Sequence, residues 1–426
     1  MTAARASRAP LLRYRAARRT DIETLVDLSL RTYRVSSAEA RREFFSDHPR
    51  FGLRDVRVGE LDGEIVSSLV MYPLHAYVRG ARVPVTGIGS VAVSPEHRRR
   101  GIGDALVRAS LREMRQRGDV LSMLYAFRGD FYRRFGWGLV EMPAMMSVPP
   151  ALLPASDEAR RVRRLRMPDR PLVQELYERH VRERGHFALA RRPEWWERRL
   201  WGYEGEWVVY ERRRGQIEGY LHVQIDAGDG PWKLVLTVNE FVAHTPDAHR
   251  GLTGYLHGLR DQAVEVIFST PADAPWAAQL GDAANLRGDL KLSVVRTTGH
   301  LGYGAMLRLL DVKGALEALP VSPQARGELV LDVRDAVLPQ NERAWRVHAR
   351  DGRLSVRAET SRGAANRDKR PRLGTTAETL AILAAGAVSP VRAAEAGLVE
   401  DVRGAAEVME HWFRARPAFL MPMNGF

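Results

Sequence analysis

A loop rich in arginine and glycine is the part of the sequence best suited to bind a ligand. It follows an apolar, strand-like segment and reads Ser94-Pro95-Glu96-His97-Arg98-Arg99-Arg100-Gly101-Ile102-Gly103. A hydroxyl, a proline and an acid in succession favour a helix entry, where free N–H groups and the helix dipole attract anions. Glycines let the backbone approach such an anion, and arginines can neutralise further phosphate charge. The pattern predicts a pyrophosphate-binding turn; a plain exposed turn is the alternative.

The chain end is a second candidate for chemistry. The last residues read Pro417-Ala418-Phe419-Leu420-Met421-Pro422-Met423-Asn424-Gly425-Phe426. A segment this apolar is not typical of a free tail, so we expect it to dock. Docking would carry the α-carboxylate of Phe426 into the protein, where a carboxylate is a better base than in bulk water. Filling of an apolar groove, with no chemistry, is the alternative.

Composition excludes several other chemistries. The 426 residues include no cysteine, which removes disulfides, thiolate ligands and a cysteine nucleophile. The histidines lack metal-ligand spacing, so no metal is expected. The net charge of +13 comes from arginines interleaved with acids, and no compact basic block with aromatics indicates a nucleic-acid partner. No apolar run approaches the roughly 20 residues of a membrane span, and no signal peptide is recognisable, so we expect a cytoplasmic protein.

Hydrophobic periodicity predicts three consecutive units. The first contains helices over 21–34 and 101–117 and strands over 54–61, 64–75, 81–85, 87–93 and 120–126. After a proline-rich linker near 149–156, the second contains helices over 170–183 and 250–262 and strands over 207–210, 219–225, 234–243 and 265–269. This order repeats that of the first unit, with 239–243 in the place of 89–93, and indicates an internal duplication. The last segment has strands over 328–333, 343–347 and 354–358, then helices over 376–384, 390–396 and 404–413, as in a separate α+β domain.

Two motifs resemble those of a known superfamily. Arg98, Gly101 and Gly103 after an apolar strand match the acetyl-CoA-binding motif of the GNAT acetyltransferases. The stretch Phe131-Tyr132-Arg133-Arg134-Phe135-Gly136-Trp137 is similar to the second GNAT signature. In length and order the whole chain resembles the Eis-type acetyltransferases, most specifically over 87–138 and at the C-terminus.

The resemblance implies a multidomain fold of the α/β and α+β classes. A catalytic GNAT domain is expected over 1–155 and a degenerate GNAT-like domain over 156–300, both with mixed sheets. A sterol-carrier-protein-like α+β domain is expected over 301–426, ending in the catalytic C-terminus. The resemblance also implies a homo-oligomer, as a homohexamer.

The resemblance further implies roles for the matching residues. Tyr132 corresponds to the general acid that protonates the leaving CoA thiolate, and Phe426 to the residue whose carboxylate acts as general base. The backbone of Val91 to Val93 would bind the pantetheine arm of acetyl-CoA, and the loop that follows would bind its pyrophosphate. Phe127 and Arg128 would flank the reactive end of the cofactor. The predicted cofactor-binding residues are Val91, Ala92, Val93, Arg98, Arg99, Arg100, Gly101, Ile102, Gly103, Asp104, Phe127 and Arg128.

The residues of the expected fourth strand indicate that the general base comes from another part of the chain. Acetylation needs a neutral amine, yet amines with a pKa of ~10 are mostly protonated at neutral pH. Many acetyltransferases carry an acid on this strand to accept the proton. Here Gly87-Ile88-Gly89-Ser90-Val91 offers no titratable side chain, which favours the chain end as base.

These features predict direct transfer of acetyl from acetyl-CoA to a primary amine, on a small polyamine- or aminoglycoside-like molecule or a lysine. Aminoglycoside preference is not supported, because polycations favour an acidic pocket, whereas the penultimate residue is Gly425. Residues 30–35, expected to line the pocket, bring arginines, and the directions of Asp27 and Glu39 stay open. The alternative is an acetyl-CoA-sensing or apolar-ligand-binding protein that uses the sterol-carrier-like domain. The tryptophans near Trp195 are expected to pack in a core, with a substrate wall as the alternative.

Overall fold

Three β-sheets organise the chain in the computed structural model, which describes residues 12–33, 37–228, 230, 233–281, 297–359 and 369–426. In the described residues the sheets contain eight, seven and five strands. Helices alternate with strands in the first two sheets, whereas most helices of the third unit follow its strands. The expected sequence of two α/β units and one α+β unit is confirmed.

The first unit carries the candidate loop. Its strands are β1 (Arg13–Ala16), β2 (Val56–Leu61), β3 (Glu64–Val78), β4 (Ala81–Val93), β5 (Leu121–Tyr125) and β6 (Gly138–Leu139). Its helices are α1 (Ile22–Tyr33), α2 (Ala38–Ser46), α3 (Ile102–Gln116) and α4 (Gly129–Arg133). The prediction of separate strands over 81–85 and 87–93 is wrong. Gly87 does not break β4, because it pairs with Tyr72 of β3 on one side and Met123 of β5 on the other.

The second unit begins with a strand rather than with a linker. Its strands are β7 (Ala144–Val148), β8 (Val162–Arg164), β9 (Ala188–Leu189), β10 (Glu206–Arg213), β11 (Gln216–Ala227), β12 (Leu234–Ala243), β13 (Ala263–Thr270), β14 (Gly299–Leu301) and β15 (Ala305–Leu309). Its helices are α5 (Arg170–Arg184), α6 (Pro193–Arg198) and α7 (Pro246–Gly258). The helix predicted over 250–262 begins earlier, because the Thr245 side chain accepts from the N–H of Ala248 and Pro246 occupies the first turn.

The third unit is a smaller sheet packed with short helices. Its strands are β16 (Gly327–Arg334), β17 (Arg343–Arg350), β18 (Arg353–Ala358), β19 (Arg372–Thr376) and β20 (Glu400–Val402). Its helices are α8 (Val312–Ala318), α9 (Ala377–Ala384), α10 (Pro390–Glu395) and α11 (Ala405–Met409). The last helix is shorter than predicted. The chain then runs back to the first sheet and ends in a 3₁₀ turn, Pro422–Asn424.

Two strands join sheets outside their own stretch of sequence. The order of the first sheet is β1-β2-β3-β4-β5-β15-β6, with β9 against β3, so β15 lies between two strands of the first unit. The second sheet has the order β14-β7-β13-β12-β11-β10-β8, and the third β18-β17-β16-β19-β20. Because strands are shared between sheets in this way, the domain limits at 155 and 300 stay predictions.

The first two units repeat each other in detail, as the sequence indicates. The Arg15 guanidinium donates to the Asp21 carboxylate (2.6 Å) just before α1, and Arg163 donates to Asp169 (2.6 Å) just before α5. Each carboxylate also accepts the backbone N–H three residues earlier. The strand pairs β4–β5 and β12–β13 are both parallel within otherwise mostly antiparallel sheets.

Candidate active site

The end of β4 separates from β5 and opens a gap in the first sheet. The parallel ladder between them ends at Ile88 opposite Leu124, while β4 continues along β3 as far as Val93. A β-bulge marks the separation: Ser90 has a φ of 49°, and the β3 register shifts there. The predicted pantetheine-binding backbone, Val91 to Val93, therefore lies on the side of β4 that β5 leaves.

The arginine–glycine loop turns from β4 into α3 as expected. Gly101 precedes α3 with a φ of 79°, and Arg99 has a φ of 60°, so the loop uses the left-handed region twice. The first-turn N–H groups of the 15-residue helix α3 have no intrahelical partner. The side chains of Arg98, Arg99 and Arg100 are exposed at this end.

Other predicted cofactor residues differ in their surroundings. The carboxylate of Asp104 accepts from Arg108 (2.6 Å) and lies 3.5 Å from Arg134, so its charge is balanced by arginines. Gly103 faces the Phe131 ring, which would lie 3.5 Å from a Cβ atom at this position, and Ile102 is buried in the core. The Phe127 side chain is 80% exposed, and Arg128 beside it is also exposed.

These features fit the diphosphate of coenzyme A. Exposed guanidinium groups and a helix N-terminus gather positive charge at one end of the gap, which suits an anion. The backbone beside the gap suits an extended amide-containing arm. The exposed Phe127 ring offers an apolar contact at the surface. The residues present therefore match what an acetyl-CoA site requires.

Tyr132 lies in a buried position on α4. It is 3% exposed, and its ring packs edge-on against Phe131 and Trp137. Burial raises the pKa of its phenol to about 12, so it stays protonated at neutral pH. The Tyr33 hydroxyl, whose pKa is raised by burial and then by the nearby Tyr132, donates to the carbonyl of Val91 (2.7 Å). A pair of tyrosines thus lies at the separated end of β4.

The chain end lies against the two glycines of β4. A Cβ atom at Gly89 would be 3.1 Å from the terminal carboxyl carbon of Phe426, and one at Gly87 would be 2.7 Å from its ring. The ring lies between those of Tyr72 and Tyr125, with centroids 5.6 and 5.7 Å away. The carboxylate therefore occupies space that any side chain at residue 89 would compete for.

The second unit holds the last residues in place. The Arg191 guanidinium donates to the side-chain oxygen of Asn424 (2.8 Å) and is itself paired with Glu240 (2.8 Å) in the interior. The amide of Asn424 donates to the Tyr177 hydroxyl (3.0 Å). From the first unit, Arg50 donates to the carbonyls of Asn424 (3.0 Å) and the residue after it. Both sides of the final turn are thus fixed by buried hydrogen bonds.

A buried carboxylate fixes the tail a few residues earlier. Glu141 accepts from the N–H of Leu420 (2.6 Å) and from the N–H of Ala305 at the start of β15 (2.8 Å). Burial raises its pKa to about 6, against the lowering effect of these two N–H groups and of the Tyr125 hydroxyl. Glu141 therefore links the tail, β15 and the tyrosine that contacts Phe426.

A cavity of about 410 Å³ opens beside the chain end and is lined in part by Gly425 and Phe426. Its aromatic lining comes from Phe44, Tyr72, Trp195 and Tyr203, together with the chain end. The described residues 30–33 are not among its lining residues: Arg31 pairs with Asp27 (3.5 Å) and Glu96, and Tyr33 reaches β4. That residues 30–35 line the acceptor pocket stays a prediction. Residues 34 and 35 lie outside the described residues. Trp195 is buried, as expected for core packing, and it also lines the cavity, so its role as a substrate wall stays a prediction.

Several site residues carry no recognisable signal in the sequence. Arg50, Asn424 and Arg191 are far apart along the chain and meet only through tertiary folding. Tyr33 looks like one more residue of an amphipathic helix. For Glu141 alone a local hint exists, because a charged residue directly follows the apolar run 137–140.

Comparisons with protein-family models agree with this architecture. Models described as acetyltransferase (GNAT) domains match residues 13–140 and 188–309. A model described as a sterol carrier protein domain matches residues 312–421. The match over 13–140 covers the loop, Tyr132 and both glycines of β4, and the match over 188–309 covers the later part of the repeated unit.

Similar proteins cover most of the chain. An uncharacterised N-acetyltransferase of Streptomyces avermitilis is 28% identical over 416 residues, which cover 92% of this chain and 94% of that protein. N-acetyltransferase Eis of Mycobacterium tuberculosis is 30% identical over 302 residues, 67% of this chain and 71% of that protein.

Solved structures show the same fold over nearly the full length. A GCN5-related N-acetyltransferase from Anabaena variabilis superimposes with a TM-score of 0.81 at 19% identity, covering 97% of this chain and 100% of that one. Eis1 from Mycobacterium abscessus gives a TM-score of 0.76 at 22% identity, with the same coverage. The chain has the domain order of this family, including the repeated GNAT unit, and it is 30% identical to an Eis protein. The chain therefore belongs to the Eis-type N-acetyltransferases.

Proposed function

We propose that this N-acetyltransferase moves the acetyl group of acetyl-CoA directly to a primary amine, with Phe426 as general base and Tyr132 as general acid. Acetyl-CoA supplies the acetyl group as a thioester. The new C–N bond replaces the C–S bond, the amine proton goes to the Phe426 carboxylate, and the CoA sulfur receives the Tyr132 proton. The products are an amide and free CoA thiol, and proton exchange with solvent returns Phe426 to the carboxylate and Tyr132 to the phenol, so atoms and protons balance.

The contact between the chain end and Gly89 carries this proposal. A Cβ atom placed on Gly89 of β4 would lie 3.1 Å from the carboxyl carbon of Phe426. Phe426 also lines a cavity of about 410 Å³, which is large enough for an organic amine. The arrangement supports a base at the place where many acetyltransferases carry a side-chain acid on β4.

The state of Tyr132 supports its part in the reaction. A phenol with a pKa of about 12 holds its proton at neutral pH, so it is available to a thiolate that forms nearby. Because a thiol with an ordinary pKa of ~8.5 is a stronger acid than this phenol, Tyr132 first stabilises the developing charge on sulfur as a hydrogen-bond donor, and transfer of its proton completes the departure of CoA.

The predicted cofactor residues divide into two groups. Arg98, Arg99 and Arg100, with the N–H groups of Gly101 to Gly103, would bind the diphosphate. The backbone of Val91, Ala92 and Val93 would bind the pantetheine arm, and Phe127 and Arg128 would flank the reactive end of the cofactor. Asp104 would act through the arginines it binds, because a carboxylate itself repels phosphate.

The experiment follows CoA thiol release with a panel of primary amines and identifies the product by mass. A chain lengthened by Gly-Ser after residue 426 should lose most turnover, because its carboxylate moves away from Gly89. The same dipeptide added before residue 1 is the matched control and should leave turnover unchanged. Full turnover with the lengthened C-terminus would contradict the role of Phe426.

The proposed assembly follows from the resemblance, and the proposed location follows from the sequence expectation given above. We propose a homohexamer in the cytoplasm, to be tested by light scattering of the purified chain and by cell fractionation. A stable monomer in solution would contradict the first. Among the described residues no helix is long and apolar enough to span a membrane.

A further inference from the structure

The acceptor cavity carries positive rather than negative charge. Arg50 and Arg199 line it, and none of the described side chains around it is an aspartate or a glutamate. Phe426 is also a lining residue, and its carboxylate is the base in the proposed function. The charge of this cavity is therefore opposite to the one a polycationic amine needs.

Arg50 is a permanent cation in the cavity wall. Its side chain is 8% exposed, lies 3.6 Å from the Trp195 ring centroid, and bonds to two backbone carbonyls of the final turn. Burial lowers its pKa to about 10, which still leaves it charged at neutral pH. In the described part of the chain no carboxylate pairs with it.

Arg199 is available to a ligand. It is half-buried at the cavity, and within the described ranges it has no ion pair or hydrogen bond from its side chain. Its neighbour Arg198, by contrast, is paired with Asp47 (2.9 Å). The pKa of His48, another lining residue, is lowered to about 3 by burial and then by nearby arginines, so the histidine is neutral. Positive potential thus remains unbalanced at the side of the cavity formed by Arg199.

We propose that the acceptor is a primary amine on an aromatic or apolar skeleton that carries an anionic group at the end remote from the amine. The amine faces the Phe426 carboxylate, the skeleton packs between the aromatic walls, and the anion faces Arg199. A second ammonium group in that place would be repelled by two arginines. This inference rests on the proposed function, because it assigns the amine to the chain-end carboxylate.

The test uses three amines of one shape: 4-(aminomethyl)benzoate, 4-methylbenzylamine and 1,4-bis(aminomethyl)benzene. They differ only in the group opposite the amine, which is a carboxylate, a methyl or an ammonium-forming group. We expect kcat/KM to fall in that order, with about a tenfold or larger difference between the first and the last, as for a charge pair at a partly exposed site. Isothermal titration of the same amines should give the same order of affinity.

Variants identify the source of the preference. Arg199→Met should reduce the ratio of kcat/KM between the benzoate and the methyl compound, and Arg199→Glu should make the diamine the better substrate. Arg198→Met is the matched control and should preserve the ratio, because Arg198 is bound to Asp47 outside the cavity wall. Circular dichroism establishes that each variant folds.

The outcomes separate this inference from the proposed function. Turnover of 4-methylbenzylamine with no preference for the benzoate, or a preference for the diamine, overturns the inference and leaves the function standing. Absence of turnover with all three amines counts against the function, and the titrations then decide the inference. A ratio unchanged in Arg199→Met overturns the assignment of Arg199.

Discussion

At Gly89, the absence of a side chain makes room for the chain-end carboxylate. In an acetyltransferase with an acidic side chain on this strand, that side chain would itself be the general base. In the proposed mechanism the base comes from residue 426, and its position depends on contacts with Gly87, Gly89 and two tyrosine rings. The site is therefore sensitive to single methyl groups on β4.

Gly89→Ala should lower kcat by about 10- to 100-fold while the protein stays folded. The added Cβ would lie 2.9 Å from Tyr72 and 3.1 Å from the carboxyl carbon of Phe426. Displacement of a reacting group by about 1 Å can cost a factor of ~100. Gly258→Ala is the control, because a Cβ there meets nothing within 4 Å. Equal kcat in the two variants would mean that the carboxylate position does not matter.

Tyr132→Phe should reduce kcat by about 10²- to 10⁴-fold with little change in acetyl-CoA affinity. The phenol pKa of about 12 also predicts no loss of wild-type activity from Tyr132 ionisation below about pH 10. Steady-state kinetics over pH 6 to 10 measure both. Tyr33→Phe tests the neighbouring phenol, which holds the Val91 carbonyl. A Tyr132→Phe enzyme with wild-type kcat would remove Tyr132 from the mechanism.

Among the individual residues of the site, the sequence predicts those that belong to a continuous local motif. The loop around Gly101 and the apolar chain end are visible without a structure, since each is a continuous run of unusual composition. Arg50 and Arg199 are two among many arginines, and nothing local distinguishes them. Their importance depends on which chain segments fold against them, which is non-local information.

The tail is the element on which the site depends most. It crosses from the third unit to the first and is held at Leu420 by Glu141 and at Asn424 by Arg191. The first contact involves a carboxylate whose folded-state pKa, about 6, is above its ordinary value of 4.5 because of burial. Docking of the tail is thereby coupled to the protonation of Glu141.

The stability contribution of Glu141 should fall as pH rises from 4.5 to 6. In this window the folded chain holds the proton and the unfolded chain releases it, so raising the pH favours unfolding. Relative to Glu141→Gln, which does not titrate, the wild-type free energy of unfolding should drop by about 2 kcal/mol between about pH 4.5 and 7. Urea denaturation of both proteins at the two pH values measures this. A difference that is independent of pH would contradict the raised pKa.

Elements are predictable where their signals are local. Strands β2, β3 and β12 and helices α3 and α5 follow from periodicity and capping residues. Periodicity alone places the start of α7 too late, because the helix begins at the cap formed by Thr245 and Pro246. The insertion of β15 beside β5 is not predictable, because strand pairing across the chain depends on partners that periodicity does not identify.

On the scale of the whole molecule, the three units are joined by shared core and by a buried ion pair. One apolar cluster runs from Val58 in the first sheet through Leu307 to Leu331 and Leu420. Beside it, Arg308 of β15 pairs with Asp335 after β16, and both side chains are almost fully buried. The domain that carries the tail is thereby fixed to the domain that carries the site.

Asp335→Ala should destabilise the protein by about 3–5 kcal/mol, because it leaves the Arg308 cation buried without a counter-ion. Two nitrogens of that guanidinium already lack hydrogen-bond partners among the described residues. Glu395→Ala, which removes the exposed pair Arg392–Glu395, is the control and should change stability by less than about 1 kcal/mol. Denaturation followed by tryptophan fluorescence measures both. Equal stability of the two variants would show that the buried pair does not hold the units together.

Amidation of the chain end tests the catalytic account most directly. Cleavage of a C-terminal intein thioester with ammonia converts the Phe426 carboxylate to a carboxamide, which keeps its shape against Gly89 but cannot accept the amine proton. The account predicts that kcat with 4-methylbenzylamine falls by at least about 100-fold while acetyl-CoA affinity is unchanged. An amidated enzyme with wild-type kcat would contradict it.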